Sequence, residues 1–399
     1  MLQVLRHPTY AKLFGAQVIA LLGTGLLTVA LGLLAFDIAG ENAGLVLGVA
    51  MAIKMIAYVG VAPVVNAVVG SLPAKPVLII ADVVRAGVAV FLPFVDAEWQ
   101  IYLLIFLLQS ASATFTPTFQ AVIPEVLPDE GDYTRALSLS RLAYDLEAVV
   151  SPMLAAALLT VISYNNLFIG TIIGFIGSAA LVVWAHFPGV DAPEQAPFRE
   201  RVTRGARIFW RNAELRGLLG LNLVVSTMTA MVIVNTVVIV QGTLGRDEDD
   251  VALLLAAYGV GSMIVAFALP GVLQRSSDLR VMFFGALFLP AALLATAAIL
   301  TFAEGTASWI SLLVVWIVSG ATTSMVLTPS SRLLRRGSSP ANRSAVFAAQ
   351  FSLSHACYLL TYPLAGIAGA RLGLAPVALI LVGVAVVGLG FAAIAWSRH

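Results

Sequence analysis

Runs of apolar residues recur along the chain, and each run ends at charged residues or at Gly and Pro. Such runs lie at residues 11–37, 44–70, 76–95, 100–123, 134–163 and 166–187, and then at 215–243, 251–273, 279–303, 307–330, 343–370 and 374–397. About 20 apolar residues cross a bilayer as a helix, and inside lipid only a helix or a closed barrel satisfies its own backbone. The pattern predicts an all-α membrane protein with twelve transmembrane helices, numbered here as spans 1 to 12.

The spacing of the runs also predicts the domain organisation. Six spans form an N-terminal six-helix bundle, residues 1–187, and six form a C-terminal six-helix bundle, residues 215–399. Between them we expect a cytoplasmic linker at 188–214. The first apolar run is longer than the 7 to 15 residues typical of a cleaved signal, so we expect it to be kept as span 1.

Composition supports a membrane protein and excludes several other classes. The chain has 399 residues, of which 60% are hydrophobic and 11% charged, with a net charge of +1. The near-zero charge gives no reason to expect a nucleic-acid partner, and the single cysteine excludes an internal disulfide. No phosphate-binding glycine loop, zinc-protease motif or Gly-x-Ser-x-Gly motif occurs, so we expect neither an enzyme nor a cofactor.

The distribution of Lys and Arg predicts the orientation. The stretch FRERVTRGARIFWRNAELR (198–216) alone contains six arginines, whereas the opposite side has only Arg246 and Arg371, beside an acidic run at 247–250. Loops rich in Lys and Arg stay in the cytoplasm. Both termini are therefore expected to be cytoplasmic, in a bacterial inner membrane.

The two halves carry similar motifs at a nearly constant offset. Aligning Thr116-Pro117 with Thr328-Pro329 gives an offset of 212 residues, and aligning the SLS triplets at 138 and 352 gives 214. Parallel repeats of six helices are a recognised transporter architecture.

These features resemble the major facilitator superfamily over the whole chain. HPTYAKLFGAQVIALLGTGL (7–26) is similar to the first-helix signature of its twelve-span efflux branch, and LIIADVVRA (78–86) to its third-helix Asp-x-x-Arg. FTPTFQAVIPEVLPDE, LSLSRLAYDLEAVVSPMLAAAL and AVFAAQFSLSHACYLLTYPLAG resemble bacterial nickel and cobalt resistance exporters. The resemblance implies a secondary active transporter with the major facilitator fold.

One loop departs from the family pattern. The family's Gly-x-x-x-Asp-Arg-x-x-x-Arg-Arg motif between spans 2 and 3 is replaced by NAVVGSLPAK, with Gly70 and Ser71 at the Asp and Arg positions and only Lys75 at the basic end. In the family this motif holds the outward-facing state. The departure predicts altered gating and a resting state shifted towards inward-open.

Ionisable residues inside spans are costly in lipid, so each is a candidate for function. Asp82 and Arg85 are three residues apart and predict a structural or gating pair, to which we add Lys54 and Lys75. Arg141 and Asp145 are four residues apart and predict a second pair. Glu147 has no basic residue three or four positions away, so we expect it to carry the proton, with Asp145 and Arg141 assisting.

In span 11, SLSHACYLLTYP (352–363) places an imidazole and a thiol two residues apart. Side chains at i and i+2 point about 200° apart on an α-helix, so we predict that His355 acts in transport while Cys357 only packs. We predict a metal site at His355 and Glu147. The complete predicted substrate-binding set is His355, Glu147, Tyr144, Tyr358, Gln17 and Asn222.

The sequence thus favours proton-coupled export of a divalent transition metal, nickel or cobalt. The alternative is proton-coupled efflux of amphipathic drugs, and a remote alternative is a non-transporting membrane receptor or scaffold. The expected partners are the small substrate, protons and the lipid bilayer, and we expect the protein to be a monomer.

Overall fold

The structure, a computed structural model, describes residues 2–39, 43–69, 72–187 and 197–397. Within these ranges the chain forms fourteen α-helices and no strand. The helices are α1 Pro8–Ala39, α2 Ala43–Ile56, α3 Ala62–Val69, α4 Ala74–Phe91, α5 Glu98–Val126, α6 Glu130–Leu159, α7 Leu167–Trp184, α8 Phe198–Arg211, α9 Ala213–Val237, α10 Glu248–Val272, α11 Asp278–Phe302, α12 Gly305–Arg336, α13 Arg343–Leu372 and α14 Leu374–Trp396.

Two of the predicted spans contain a π-helical segment. Residues Ala57–Val61 join α2 to α3 without a break, and Val238–Thr243 extend α9. Such segments shift the register of one helical turn and are often found at functional sites. Span 2 is therefore one long helix that changes its hydrogen bonding in the middle.

Ten stretches of the described residues are long and apolar enough to cross a membrane. They include every predicted span except 5 and 11, which correspond to α6 and α13. Those two helices have 30 residues each, about 45 Å at 1.5 Å a residue, but they carry the polar residues singled out above. The transmembrane helices are confirmed, while the count of twelve and the orientation stay predictions.

The described chain separates into two compact units. Unit 1 comprises 1–136, 146–207 and 338–352, and unit 2 comprises 137–145, 208–337 and 353–399. A short segment of α6 thus belongs to the unit built mainly from the C-terminal half. Likewise, the first part of α13, up to residue 352, belongs to unit 1. The predicted domain boundaries stay a prediction.

Helix pairing inside each unit follows the same scheme. In unit 1, α7 packs on α1 and α4, and α5 packs on α2 and α4. In unit 2, α14 packs on α9 and α11, and α12 packs on α10 and α11. The helices correspond in chain order, which agrees with the internal repeat that the motif offsets predict.

Glycine allows close approaches between several of these helices. A Cβ on Gly174 of α7 would lie 2.9 Å from the Cα of Gly23 of α1, and one on Gly220 of α9 would lie 2.5 Å from the Gly388 carbonyl oxygen of α14. Because lipid is as apolar as the side chains, helices in membranes associate through such close packing. The outward faces carry large apolar side chains, among them Phe302, which is 85% exposed.

Candidate functional site

Glu147 lies half-buried on α6 and faces α1 at Gly25. A Cβ at Gly25 would come within 2.7 Å of Glu147 Oε1 and within 2.1 Å of Ser151 Oγ, one turn further along α6. Any larger residue at position 25 would therefore displace the carboxylate or the serine. Gly25 makes the space in which the carboxyl group lies.

The cation that attracts this carboxylate is Lys54, on a different helix, α2. The Lys54 ammonium group lies 5.6 Å from the centre of the Tyr58 ring. The Tyr58 hydroxyl in turn donates a hydrogen bond to Gln109 Oε1 at 3.0 Å. A carboxylate near an ammonium group can take up and release a proton as its neighbours move.

A second acid–base pair in unit 1, Asp82 and Arg85 of α4, is fully packed. Their side chains form a direct ion pair, and Ser178 Oγ donates to the other Asp82 oxygen at 2.7 Å. The Arg85 guanidinium lies 4.2 Å from the ring centre of Phe115 and 4.5 Å from that of Phe175. The pair joins α4, α5 and α7, an arrangement that favours the predicted structural role.

Lys75, the remaining residue of the predicted gating set, caps a helix. Its ammonium group donates to the carbonyl of Ala185 at 2.9 Å, and Lys12 donates to the carbonyl of Trp184 at 2.8 Å. Both carbonyls lie at the C-terminal end of α7, where unpaired oxygens and the helix dipole attract cations.

In unit 2, Arg141 and Asp145 of α6 form the predicted ion pair at 3.0 Å. Arg141 Nε also donates to Ser262 Oγ of α10 at 2.8 Å. Asp145 is 7% exposed, and its Oδ2 has no hydrogen-bond donor among the described residues. The pair ties this segment of α6 to α10.

His355, Tyr358 and Tyr362 follow one another on one face of α13 and, with Tyr258 of α10, form what we call the tyrosine cluster. The His355 and Tyr358 rings lie 5.8 Å apart edge to face, and the Tyr358 and Tyr362 rings 5.3 Å apart. Tyr258 approaches both α13 tyrosines, and Thr229 of α9 bonds to the Tyr358 hydroxyl. The cluster combines aromatic faces with polar ends.

Cys357 takes a different direction from His355. Its Sγ donates to the carbonyl of Leu353 in its own helix at 3.4 Å. His355 Nδ1 lies 3.5 Å from Ser354 Oγ. Among the described residues, no group of three or more His, Cys, Asp or Glu side chains lies close enough to hold a metal ion.

Three other residues of the predicted substrate-binding set lie outside the tyrosine cluster. Gln17 of α1 and Asn222 of α9 are 6% and 3% exposed, so both are enclosed by neighbouring helices. Tyr144 of α6 is 39% exposed. Their predicted role in substrate binding stays a prediction.

The family of the chain follows from comparison with known proteins. A family model described as Major Facilitator Superfamily matches residues 13–233, more than half of the chain. The chain belongs to the Major Facilitator Superfamily. The superfamily predicted from the sequence is thus confirmed. Membership of this family indicates a transporter rather than an enzyme.

Solved structures of major facilitator transporters match nearly the whole chain. The E. coli fucose:proton symporter is 16% identical, with 97% of this chain and 98% of that chain covered and a TM-score of 0.72. A bacterial homologue of the iron transporter ferroportin is 13% identical, with coverages of 98% and 100% and a TM-score of 0.80. At these identities the likeness establishes the fold.

A curated relative is similar over part of the chain. Macrolide efflux protein A of Streptococcus pyogenes is 23% identical over 218 residues, which are 53% of this chain and 53% of that protein. The chain therefore spans about half the length of the curated relatives it matches. The nickel and cobalt exporter branch is not confirmed.

Sequence reasoning missed several polar contacts of this transporter because their partners are distant in the chain. In unit 1, Arg343 pairs with Glu125 at 3.4 Å, and Ser344 Oγ donates to Asn66 Oδ1 at 2.5 Å. Asn66 is the first residue of the altered loop stretch NAVVGSLPAK, whose Gly70 and Ser71 fall outside the described residues. The only signal was Glu125 itself, an acid at the end of an apolar run.

Unit 2 contains a buried acid that was also missed. Asp278, at the start of α11, is 4% exposed and pairs with Arg332 at 2.9 Å and with Arg336. Arg336 also lies 3.5 Å from Glu214. Asp278 is found in a charged stretch between two spans, where acids are normally solvated, so no pattern distinguished it.

Proposed function

We propose that this transporter exports amphipathic organic compounds, cations in particular, in exchange for protons. The observation that carries the proposal is the tyrosine cluster of unit 2. Aromatic faces attract organic cations by about 0.5–2 kcal/mol each, and tyrosine hydroxyls give a bound molecule polar partners. The likeness to a macrolide efflux protein supports an organic substrate.

Glu147 is the proposed proton carrier. Its carboxylate and Lys54 attract each other across two helices, α6 and α2. Protonation of Glu147 removes that attraction, and deprotonation restores it. A change in proton occupancy therefore alters the force between the two helices, as a coupled exchange requires.

Nickel or cobalt export is the competing function, and His355 is the observation in its favour. Imidazole is a common ligand of both ions. Among the described residues, however, no group of three or more His, Cys, Asp or Glu side chains could hold a metal ion. We therefore place organic export first and use the same assay for both.

The experiment is uptake into inverted membrane vesicles with an acidic interior, using ethidium, a radiolabelled macrolide and radioactive nickel in parallel. We expect wild type to accumulate an organic compound, Glu147→Gln to lose the dependence on the pH gradient, and Tyr358→Ala to lose most of the uptake. Cys357→Ala is the matched control on α13 and should resemble wild type. Nickel uptake without any organic uptake would overturn the proposal.

A further inference from the structure

A cavity separate from the tyrosine cluster lies in unit 2, at the end of α9 remote from the linker helix α8. It has a volume of about 420 Å³ and is lined by two turns, at 243–246 and 303–308, together with Leu300. Each turn contains a glycine in the left-handed region, Gly245 at φ +61° and Gly305 at φ +57°. The cavity is within the size range of sites for drug-sized molecules.

The charged side chains around this cavity favour a cation. Arg246 is held by Asp250 at 2.8 Å, and its guanidinium lies 4.4 Å from the centre of the Trp309 ring. Glu304 lines the same cavity, and no ion pair of its side chain is found among the described residues. Because Asp250 already pairs with Arg246, Glu304 is the lining charge that is available to a cation.

Ser308 provides an independent indication of a ligand. It lines the cavity and is 1% exposed, yet its hydroxyl has no hydrogen-bond partner among the described residues. A buried hydroxyl without a partner costs free energy unless a bound molecule or water supplies one. Leu244, Leu300 and Ala303 complete the lining with an apolar wall.

We propose that this cavity, the outer site, binds an organic cation of drug size. The ammonium or iminium group pairs with Glu304, the apolar body lies on Leu244 and Leu300, and the Ser308 hydroxyl accepts or donates one hydrogen bond. The proposal deepens the proposed function, since a molecule exported across the membrane would meet this site at the far end of unit 2.

The test is equilibrium binding of ethidium to the purified full-length protein in nanodiscs of neutral lipid, measured by fluorescence polarisation at two salt concentrations. Glu304→Gln should weaken binding by about fivefold at low salt and remove most of the salt dependence. Arg246→Gln should strengthen binding, because it removes the positive charge and uncovers the Trp309 ring. Glu98→Gln, an exposed carboxylate at the start of α5, is the control and should bind like wild type.

A second variant tests the outer site without changing a charge, in case Glu304→Gln disturbs the turn at 303–308. Ala303→Trp fills the cavity and should abolish binding to the outer site while the protein stays folded. Binding unchanged by both Glu304→Gln and Ala303→Trp would overturn the outer site.

The proposed function and the outer site can fail separately. In a Tyr358→Ala background, ethidium binding that still depends on Glu304 supports the outer site even if no organic compound is transported. Conversely, transport that needs Tyr358 and ethidium binding that ignores Glu304 would retain the proposed function and remove the outer site.

Discussion

Two acid–base pairs in the described part of unit 1, Asp82–Arg85 and Glu147–Lys54, differ in how they are held. Asp82 and Arg85 belong to one helix, are 0% and 5% exposed, and are fixed by Ser178 and two phenylalanine rings. Glu147 and Lys54 belong to two helices, and both side chains are half-buried. The first pair moves as a part of α4, whereas the second changes whenever α2 and α6 change their separation.

The difference underlies the proposal that Asp82 is a structural charge and Glu147 a coupling charge. A pair within one helix stabilises the packed state, and the distance between its two charges does not depend on the separation of two helices. A pair that spans two helices links the proton occupancy of its acid to the positions of those helices. The four predictions below test this distinction, in descending order of the expected loss in the free energy of unfolding.

Asp82→Ala should cause the largest loss, about 3–5 kcal/mol, because it leaves the Arg85 guanidinium buried without its partner. We expect little folded protein in the membrane, measured by fluorescence-detected size-exclusion chromatography and thermal unfolding. The double change Asp82→Leu with Arg85→Leu removes both charges and should recover most of the loss. A single variant as stable as wild type would show that the pair is not structural.

Gly25→Ala should cost about 1–3 kcal/mol, because its new methyl group would overlap the Ser151 side chain. Gly32 on the same helix is the matched control, since a Cβ there meets no atom within 4 Å. Gly32→Ala should be neutral or slightly stabilising, because alanine favours the helix more than glycine does. Ser151→Gly should rescue Gly25→Ala; failure of that rescue would mean that Gly25 serves another purpose.

The transmembrane helices were predictable from the sequence because a helix that crosses lipid needs a long apolar run. Span 12, expected at 374–397, is α14 Leu374–Trp396, because an uninterrupted apolar run leaves the backbone no alternative. Span 10 was expected at 307–330, but α12 continues to Arg336. Apolar runs indicate the thickness of the bilayer, whereas helices continue into the headgroup region.

The candidate sites were predictable only where the partners share a helix. The Arg141–Asp145 pair follows from a spacing of four residues, and the structure contains it. The Arg343–Glu125 pair joins residues 218 positions apart in the chain. Only the packing of α13 against α5 brings these side chains together, and no local pattern encodes it.

On α13 the corresponding comparison is between Cys357, predicted to pack, and His355, predicted to act in transport. Cys357→Ala should cost about 1 kcal/mol, since it removes one sulfur from a half-buried position. Transport should remain near wild type. His355→Ala is expected to be equally well folded but to lose transport, because it removes a polar aromatic group from the tyrosine cluster. Equal loss of transport in both variants, at matched membrane levels, would contradict the assignment of Cys357 to packing.

Glu147→Gln should show the smallest change in stability, below about 1 kcal/mol, because both members of its pair are half-buried and the amide keeps the shape of the carboxyl group. Lys54 retains the Tyr58 ring at 5.6 Å as a favourable neighbour. Thermal unfolding of Glu147→Gln should therefore match that of Glu130→Gln, an exposed control in the first turn of the same helix. If Glu147→Gln instead unfolds as readily as Asp82→Ala, both pairs are structural, and the coupling role must move to Asp145.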